Sequence, residues 1–524
     1  MILIDPRDHQ ELLQANTRLS DENLQLKAEC QWLKEQLGLS KKRLFGPSSE
    51  QAPCGQEVLV FNEAEALAAP EPPAPQTETI TYTRRRTPGK RELQLQNLPV
   101  EEIHYDLPEA ERICPACAGE MHQMGSDVRQ EIKIIPASVT LVKHMRAKYA
   151  CRHCQREETK TPILTAPAPL TAFPNSLASP SSVAYILCQK FLEGSPLYRQ
   201  EQSLHRLGLD LSRQTMANWM LTGATWLSTL GERMHAYLRE RDILHADETT
   251  LQVLHEPGRT PQSTSYMWLY RTGRDGPPIV LFDYQPTRHG RHPREYLKGF
   301  QGYLHVDGYA GYEGLPDITL VGCWSHARRK FVEAINILPE SVRLQGKSNA
   351  HDGLAFCSQL FAVERELHDV SAQARHAGRL ERSKPLLDRF RLWLDNMASQ
   401  VLPKSTLTMA VNYCRNQWPK LTRFLKDGRL ELDNNRAERS IKPFVIGRKN
   451  WLFANTPRGA RASSLIYSLV ETAKENGISP LPYFTYLFEQ LPNIDVNDPS
   501  ALDLLLPWSQ QVQSQFRIPA KSTR

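Results

Sequence analysis

Between residues 242 and 307 the chain sets out three strand-like runs, then a helix, then a fourth strand that stops at an acid, and few folds accept that order. The first run, 242–254, is rich in aliphatic and β-branched residues, and runs over 265–270 and 278–284 follow behind Gly- and Pro-rich turn material. Short connections make these three an antiparallel meander. A candidate helix near 293–300 supplies the crossover that lets 302–307 lie parallel to the first run. Asp247 in the first run and Asp307 at the end of the fourth are therefore expected side by side. A fifth run, 319–324, leads into a basic helical stretch, 325–331, and Glu438 falls where 433–442 reads as a helix start.

The order strand-strand-strand-helix-strand-helix-strand-helix is the ribonuclease H-like topology. The expectation is a multidomain α+β protein with a ribonuclease H-like catalytic domain over 239–475. The gap from Asp307 to Glu438 is wider than a minimal core needs, and helix-period runs at 360–367 and 386–397 fill it. A mostly helical insertion, about 340–428, is the reading, with a plain spacer as the other. Asp247, Asp307 and Glu438 together suit Mg2+ (or Mn2+), a hard cation that prefers oxygen ligands and keeps open positions for phosphate. Any one of these acids alone is ordinarily a turn residue or a helix cap; their placement on matching elements sets them apart. His245 and His305 each stand two positions before an acid, on its face of the strand, either near the metals or as hydrogen-bonded core residues.

Cations gather near the acids: Arg328, Arg329 and Lys330 after the fifth run, and Arg436, Arg439, Lys442, Arg448, Lys449, Arg458 and Arg461 around Glu438. Such density suits a channel for a phosphate backbone, or ion pairs with the acids and plain solvation. Trp451 and Phe453, interleaved with them, offer either base stacking or core packing. Upstream, the helical segment 166–238 contains two helices around a turn at Gly208. Arg213, Gln214 and Asn218 fall on exposed faces of the second, suited to reading base edges as in a helix-turn-helix; a hairpin supporting the core is the alternative. In 91–165, Cys114-Pro-Ala-Cys117 and Cys151-Arg-His-Cys154 form two C-x-x-C pairs separated by thirty-three residues, a spacing that suits structural Zn2+. A redox pair or four free thiols competes with that reading. In 1–39, Leu12, Leu19, Leu26 and Leu33 recur every seven residues, with Asn16 and Asn23 on the alternate seam. This is a coiled-coil pattern favouring a dimer or higher oligomer, or one amphipathic helix packed on the rest. A basic block and a Pro-, Ala- and Glu-rich linker fill 40–90, and 476–524 is a carboxy-terminal segment.

The blocks 245–249, 306–309, 322–331 and 434–443, with the amino-terminal features, resemble the bacterial insertion-sequence-66 family of DDE transposases along nearly the whole chain. The resemblance implies metal-dependent cleavage and strand transfer at the ends of the protein's own mobile element, with Asp247, Asp307 and Glu438 as the triad. It implies a zinc-binding segment at Cys114, Cys117, Cys151 and Cys154. Its expected partners are terminal-repeat and target DNA, together with accessory transposition proteins. A same-fold nuclease that does not join strands, and a zinc-containing DNA-binding regulator with a decayed core, are the competing functions. The formal charge of +6 over 524 residues is too mild to identify a nucleic-acid enzyme by itself. The ten cysteines, with no apolar export signal and no membrane-length apolar run, lead to an expected cytoplasmic location.

Overall fold

The computed structural model describes residues 138–150, 163–401 and 403–519, with Asn16 and Arg18 besides. The leucine heptads, the basic block, the linker and Cys114, Cys117, Cys151 and Cys154 lie outside the described residues.

A small antiparallel pair, β1 (Lys148–Ala150) and β2 (Ile163–Thr165), precedes three helices: α1 (Pro180–Phe191), α2 (Leu197–Arg206) and α3 (Arg213–Arg239). The main sheet follows with β3 (Ile243–Gln252), β4 (Thr264–Thr272), β5 (Val280–Gln285), β6 (Gly302–His305) and β7 (Ile318–Val321). Its spatial order is β5-β4-β3-β6-β7, antiparallel through the meander and parallel across β3, β6 and β7. The crossover is a short helix, α4 (Arg291–Tyr296). Gly302 sets how β6 meets β3. Its φ of 147° and a Cβ position only 2.2 Å from Asp242 O leave room for glycine alone, so Tyr303 N reaches Asp242 O at 2.8 Å.

After β7 the chain turns helical: α5 (Trp324–Ile337), α6 (Glu340–Gln345), α7 (Asn349–Glu366), α8 (Ala372–Gly378), a π-helical turn at Arg379–Ser383, α9 (Lys384–Gln400) and α10 (Thr406–Leu421). These helices bury a core of their own in which Trp324, Phe331 and Phe390 meet. Two buried guanidinium groups tie these helices to the stretch of chain that follows them. Arg379 pairs with Glu364 at 2.7 Å and donates to the carbonyls of Phe424, Asp427 and Leu430, while Arg375 donates to Gly428 O at 3.0 Å. Buried cations without such partners would cost several kcal/mol, so the loop is fixed where it enters α11 (Asn435–Trp451).

The chain closes with α12 (Pro457–Glu475), α13 (Pro480–Gln490), α14 (Pro499–Asp503) and α15 (Gln510–Phe516). Along edge strand β5, α12 supplies hydroxyls in place of a sixth strand: Ser468 Oγ accepts from Phe282 N at 2.7 Å and Thr472 Oγ1 from Val280 N at 3.0 Å. The sheet's core is continuous with that of the flanking helices. Leu187, Leu230, Trp268, Phe282, Phe444, Tyr467 and Phe484 belong to one buried cluster, so the segments before 239 and after 475 pack with the sheet.

Candidate active site

The parallel register of β3 and β6 pairs Ile243 with Tyr303, Leu244 with Leu304 and His245 with His305. Two residues further along stand Asp247, still within β3, and Asp307, just past the end of β6. Beneath them the imidazoles of His245 and His305 stack, 4.3 Å between centroids and 8° apart, both wholly buried. Asn434 Nδ2 donates to Ala246 O at 2.8 Å, which leaves Oδ1 to accept from His245 Nδ1 at 2.9 Å. His305 Nε2 accepts from Glu431 N at 3.3 Å. Burial pushes His245 down to about 4 and holds His305 well below the usual imidazole value. Both rings are therefore neutral packing elements at neutral pH.

Asn434 is also the residue on which α11 begins, and Glu438 N donates to Asn434 O at 3.2 Å. One side chain thus docks the helix start onto β3, and one helical turn later Glu438 arrives beside the strand acids. Burial first, then Glu248, then Asp307 and Glu438 raise Asp247 well above the usual carboxylate range. Asp247 Oδ1 accepts from Glu248 N, and Asp307 Oδ1 from Tyr309 N, both at 2.8 Å. Glu438 Oε1 is buried with no hydrogen-bond partner among the described residues. The three acids offer hard oxygen donors, one of them an orphaned oxygen, while the ligand atoms that lie within 4.8 Å of one another among the described residues are those of Cys323, His326 and Glu438.

Several residues at this site carried no signal, or an ambiguous one, in the sequence. Asn434 lay in a recognised block without a role. Glu248, adjacent to an acid and so on the opposite strand face, hydrogen-bonds to Arg288 Nε at 2.8 Å and Tyr312 Oη at 2.5 Å. Arg288 lies 3.7 Å over the Tyr309 ring, and Tyr309 Oη donates to Arg288 O, so the turn after Asp307 is clamped. His326 and Arg329 on α5 each stand 3.8 Å from Glu438, His326 Nδ1 towards Oε1 and Arg329 towards Oε2.

The cations divide. Arg436 pairs with Glu431, which also binds Arg274 at 2.8 Å; burial raises that carboxyl, but His245 and the two arginines overcome it and leave it at about 2. Arg448 donates to Thr250 O and to Thr249 Oγ1. Arg439, Lys442 and Lys449 are exposed at spacings of three and seven, so they share one face of α11. Arg458 and Arg461 are exposed as well. On α5, Lys330 lies 4.0 Å from Glu333 and Arg328 is partly buried. Trp451 packs edge-on against Phe444, whereas Phe453 is exposed.

Arg213, Gln214 and Asn218 are exposed at the start of α3, after a turn where Gly208 has φ 82°. Arg213 pairs with Glu201 at 3.0 Å and Gln214 Nε2 donates to Asn218 Oδ1 at 3.2 Å. The helix continues for 27 residues and buries Leu227, Leu230 and Met234 in the sheet's core, so the same element also supports the site.

Among the described residues no helix is long and apolar enough to cross a membrane. The family model described as "Transposase IS66 family" matches residues 175–462, a span that begins before α1 and ends within α12. The zinc-finger binding domain of transposase IS66 matches 111–155, which includes all four cysteines of the paired C-x-x-C motif. The model described as "Transposase C of IS166 homeodomain" matches 32–103, and the IS66 C-terminal element matches 468–508. Among similar proteins of Sinorhizobium fredii (strain NBRC 101917 / NGR234), the uncharacterized protein y4jD is 30% identical over 429 residues, covering 79% of this chain and 81% of that protein. The uncharacterized proteins y4hP and y4qI are 29% and 32% identical, covering 86% and 75% of this chain and 82% and 73% of their own lengths. With family models matched from its amino-terminal region to its carboxy-terminal helices, the chain belongs to the IS66 transposase family.

Proposed function

We propose that the protein is a DDE-type transposase that binds the ends of its own insertion sequence, cleaves a phosphodiester and joins the freed 3′-hydroxyl to target DNA. The observation that carries this reading is the register of β3 with β6, which sets Asp247 on one strand and Asp307 just past the end of its parallel neighbour, with Glu438 in the first turn of the helix that Asn434 docks onto β3. The strand order, three antiparallel then two parallel with the acids around the central strand, supports a ribonuclease H-like core over 239–475 interrupted by the helical insertion.

Asp247, Asp307 and Glu438 would hold Mg2+ or Mn2+, which when bound activates an attacking hydroxyl and stabilises a leaving oxygen. The protein's own part is to fix those oxygens. The neutral histidine stack keeps positive charge out from beneath them, and the Glu248–Arg288–Tyr309 clamp holds the turn that carries Asp307. Arg439, Lys442 and Lys449 would track the phosphate backbone, together with Arg328, Arg329 and Lys330 of α5. Arg213, Gln214 and Asn218 would contact the terminal repeat. Cys114, Cys117, Cys151 and Cys154 would hold structural Zn2+ in the zinc-finger segment, and the leucine heptads would pair two or more copies.

The test is strand transfer on DNA carrying the element's ends, with Mg2+ or Mn2+. Joined product from the intact protein and none from Asp307→Asn bears the reading out. Cleavage without joining assigns the chain to nucleases of the same fold, and end-binding without either reaction assigns it to DNA-binding regulators.

A further inference from the structure

Among the described residues, His326 on α5 brings to Glu438 a ring nitrogen that has no hydrogen-bond partner. His326 Nδ1 and Glu438 Oε1 are both buried, neither has a hydrogen-bond partner among the described residues, and they face each other at 3.8 Å. That distance is too long for a hydrogen bond and lies between the cis and trans ligand spacings of an octahedral ion, so a small rotation of either side chain brings both atoms onto one ion. The other carboxylate oxygen, Oε2, faces Arg329 instead. Cys323 Sγ lies within 4.8 Å of both atoms, but it already accepts from Asn434 N at 3.2 Å and is fully enclosed, so it shapes the pocket from behind. Asp307 is near enough for its charge to act on the His326 ring.

We propose that His326 is a nitrogen ligand of the acidic site, closing with Glu438 on one divalent ion through Nδ1 and Oε1, and that this mixed pair makes the position favour Mn2+ over Mg2+. The inference rests on the reading of the acids as metal-holding. Mg2+ takes oxygen donors in a strict octahedron, whereas imidazole suits the transition metals. An all-carboxylate site would separate the two ions less. The local sequence is built for this placement: His326 lies in the first turn of α5, which the Trp324 N to Leu432 O hydrogen bond ties to the loop leading into α11. Helix and acid are thereby held in register.

The experiment measures Mn2+ and Mg2+ binding to the full zinc-loaded chain, counting free Mn2+ by electron paramagnetic resonance and reading 14N modulation from the bound ion. The intact protein is expected to show imidazole 14N coupling. His326→Ala is expected to lose that coupling and to bind Mn2+ at least about 10-fold more weakly, with Mg2+ affinity changed far less. His326→Asp is expected to keep ion binding with its preference moved towards Mg2+. An unchanged thermal midpoint in either variant excludes misfolding as the cause. Persistent 14N coupling and an unaltered Mn2+ to Mg2+ ratio in His326→Ala overturn the proposal. If Glu438→Gln abolishes binding of both ions while His326→Ala alters neither, only this inference falls; if Glu438→Gln also changes nothing, the metal-holding reading of the acids falls with it.

Discussion

The two faces of α11 carry similar residues put to opposite uses. On the inner face Arg436 is spent on Glu431 and Arg448 on the end of β3, while on the outer face Arg439, Lys442 and Lys449 make no hydrogen bond or ion pair among the described residues. A guanidinium excluded from water has to find a carboxylate or a carbonyl, whereas one left in water stays available for phosphate. A cluster of cations beside acids is therefore two populations, and only packing separates them.

The comparison is broken first at the acids. Asp247→Asn should lower strand transfer by at least about 1,000-fold, several kcal/mol of barrier. The same change should raise the stability of the metal-free protein by about 1 kcal/mol, since it removes a carboxylate whose charge is disfavoured first by burial, then by Glu248, Asp307 and Glu438; denaturant melts without divalent ions check it. Next comes the histidine stack. Above pH 6.5 His245 is neutral folded or unfolded and contributes nothing; as pH falls the unfolded chain gains a proton that the folded ring, at about 4, refuses. Stability should drop by about 3 kcal/mol on this account between pH 6.5 and 4. His245→Phe should flatten that slope without abolishing it, because His305 titrates in the same sense.

On α11 itself, Arg436→Ala should cost about 2 kcal/mol of stability and leave the salt dependence of DNA binding alone, since Arg274 remains as Glu431's other partner. The smallest effect on the fold belongs to Arg439→Ala, Lys442→Ala and Lys449→Ala. Each should change stability by less than about 0.5 kcal/mol and reduce the slope of log affinity against log salt by about 1. If Arg436→Ala altered that slope as much as Lys442→Ala, the division between the two faces would be wrong.

Strand order, the parallel partnership of β3 with β6 and the helical nature of the insertion were legible because each follows from periodicity and connection length. Boundaries shifted: the helix expected near 293–300 spans Arg291–Tyr296, and β6 ends at His305, so Asp307 lies just past the strand in the turn clamped by Tyr309. The segments on either side of 239–475 read as separate pieces, yet Leu187 and Phe484 share a core with Trp268, because an amphipathic helix does not announce which surface it covers.

The sequence by itself determined that Asp247 would fall on one of two neighbouring parallel strands, Asp307 at the end of the other and Glu438 at a helix start, since alternation and chain direction leave little choice. Only the tertiary structure decided what surrounds them: that Asn434 joins helix to strand, that His245 and His305 stack as neutral rings, that His326 meets Glu438, and which arginines remain in water. Those outcomes depend on contacts between residues more than a hundred positions apart, where burial and hydrogen-bond satisfaction, rather than local propensity, set each side chain's partner.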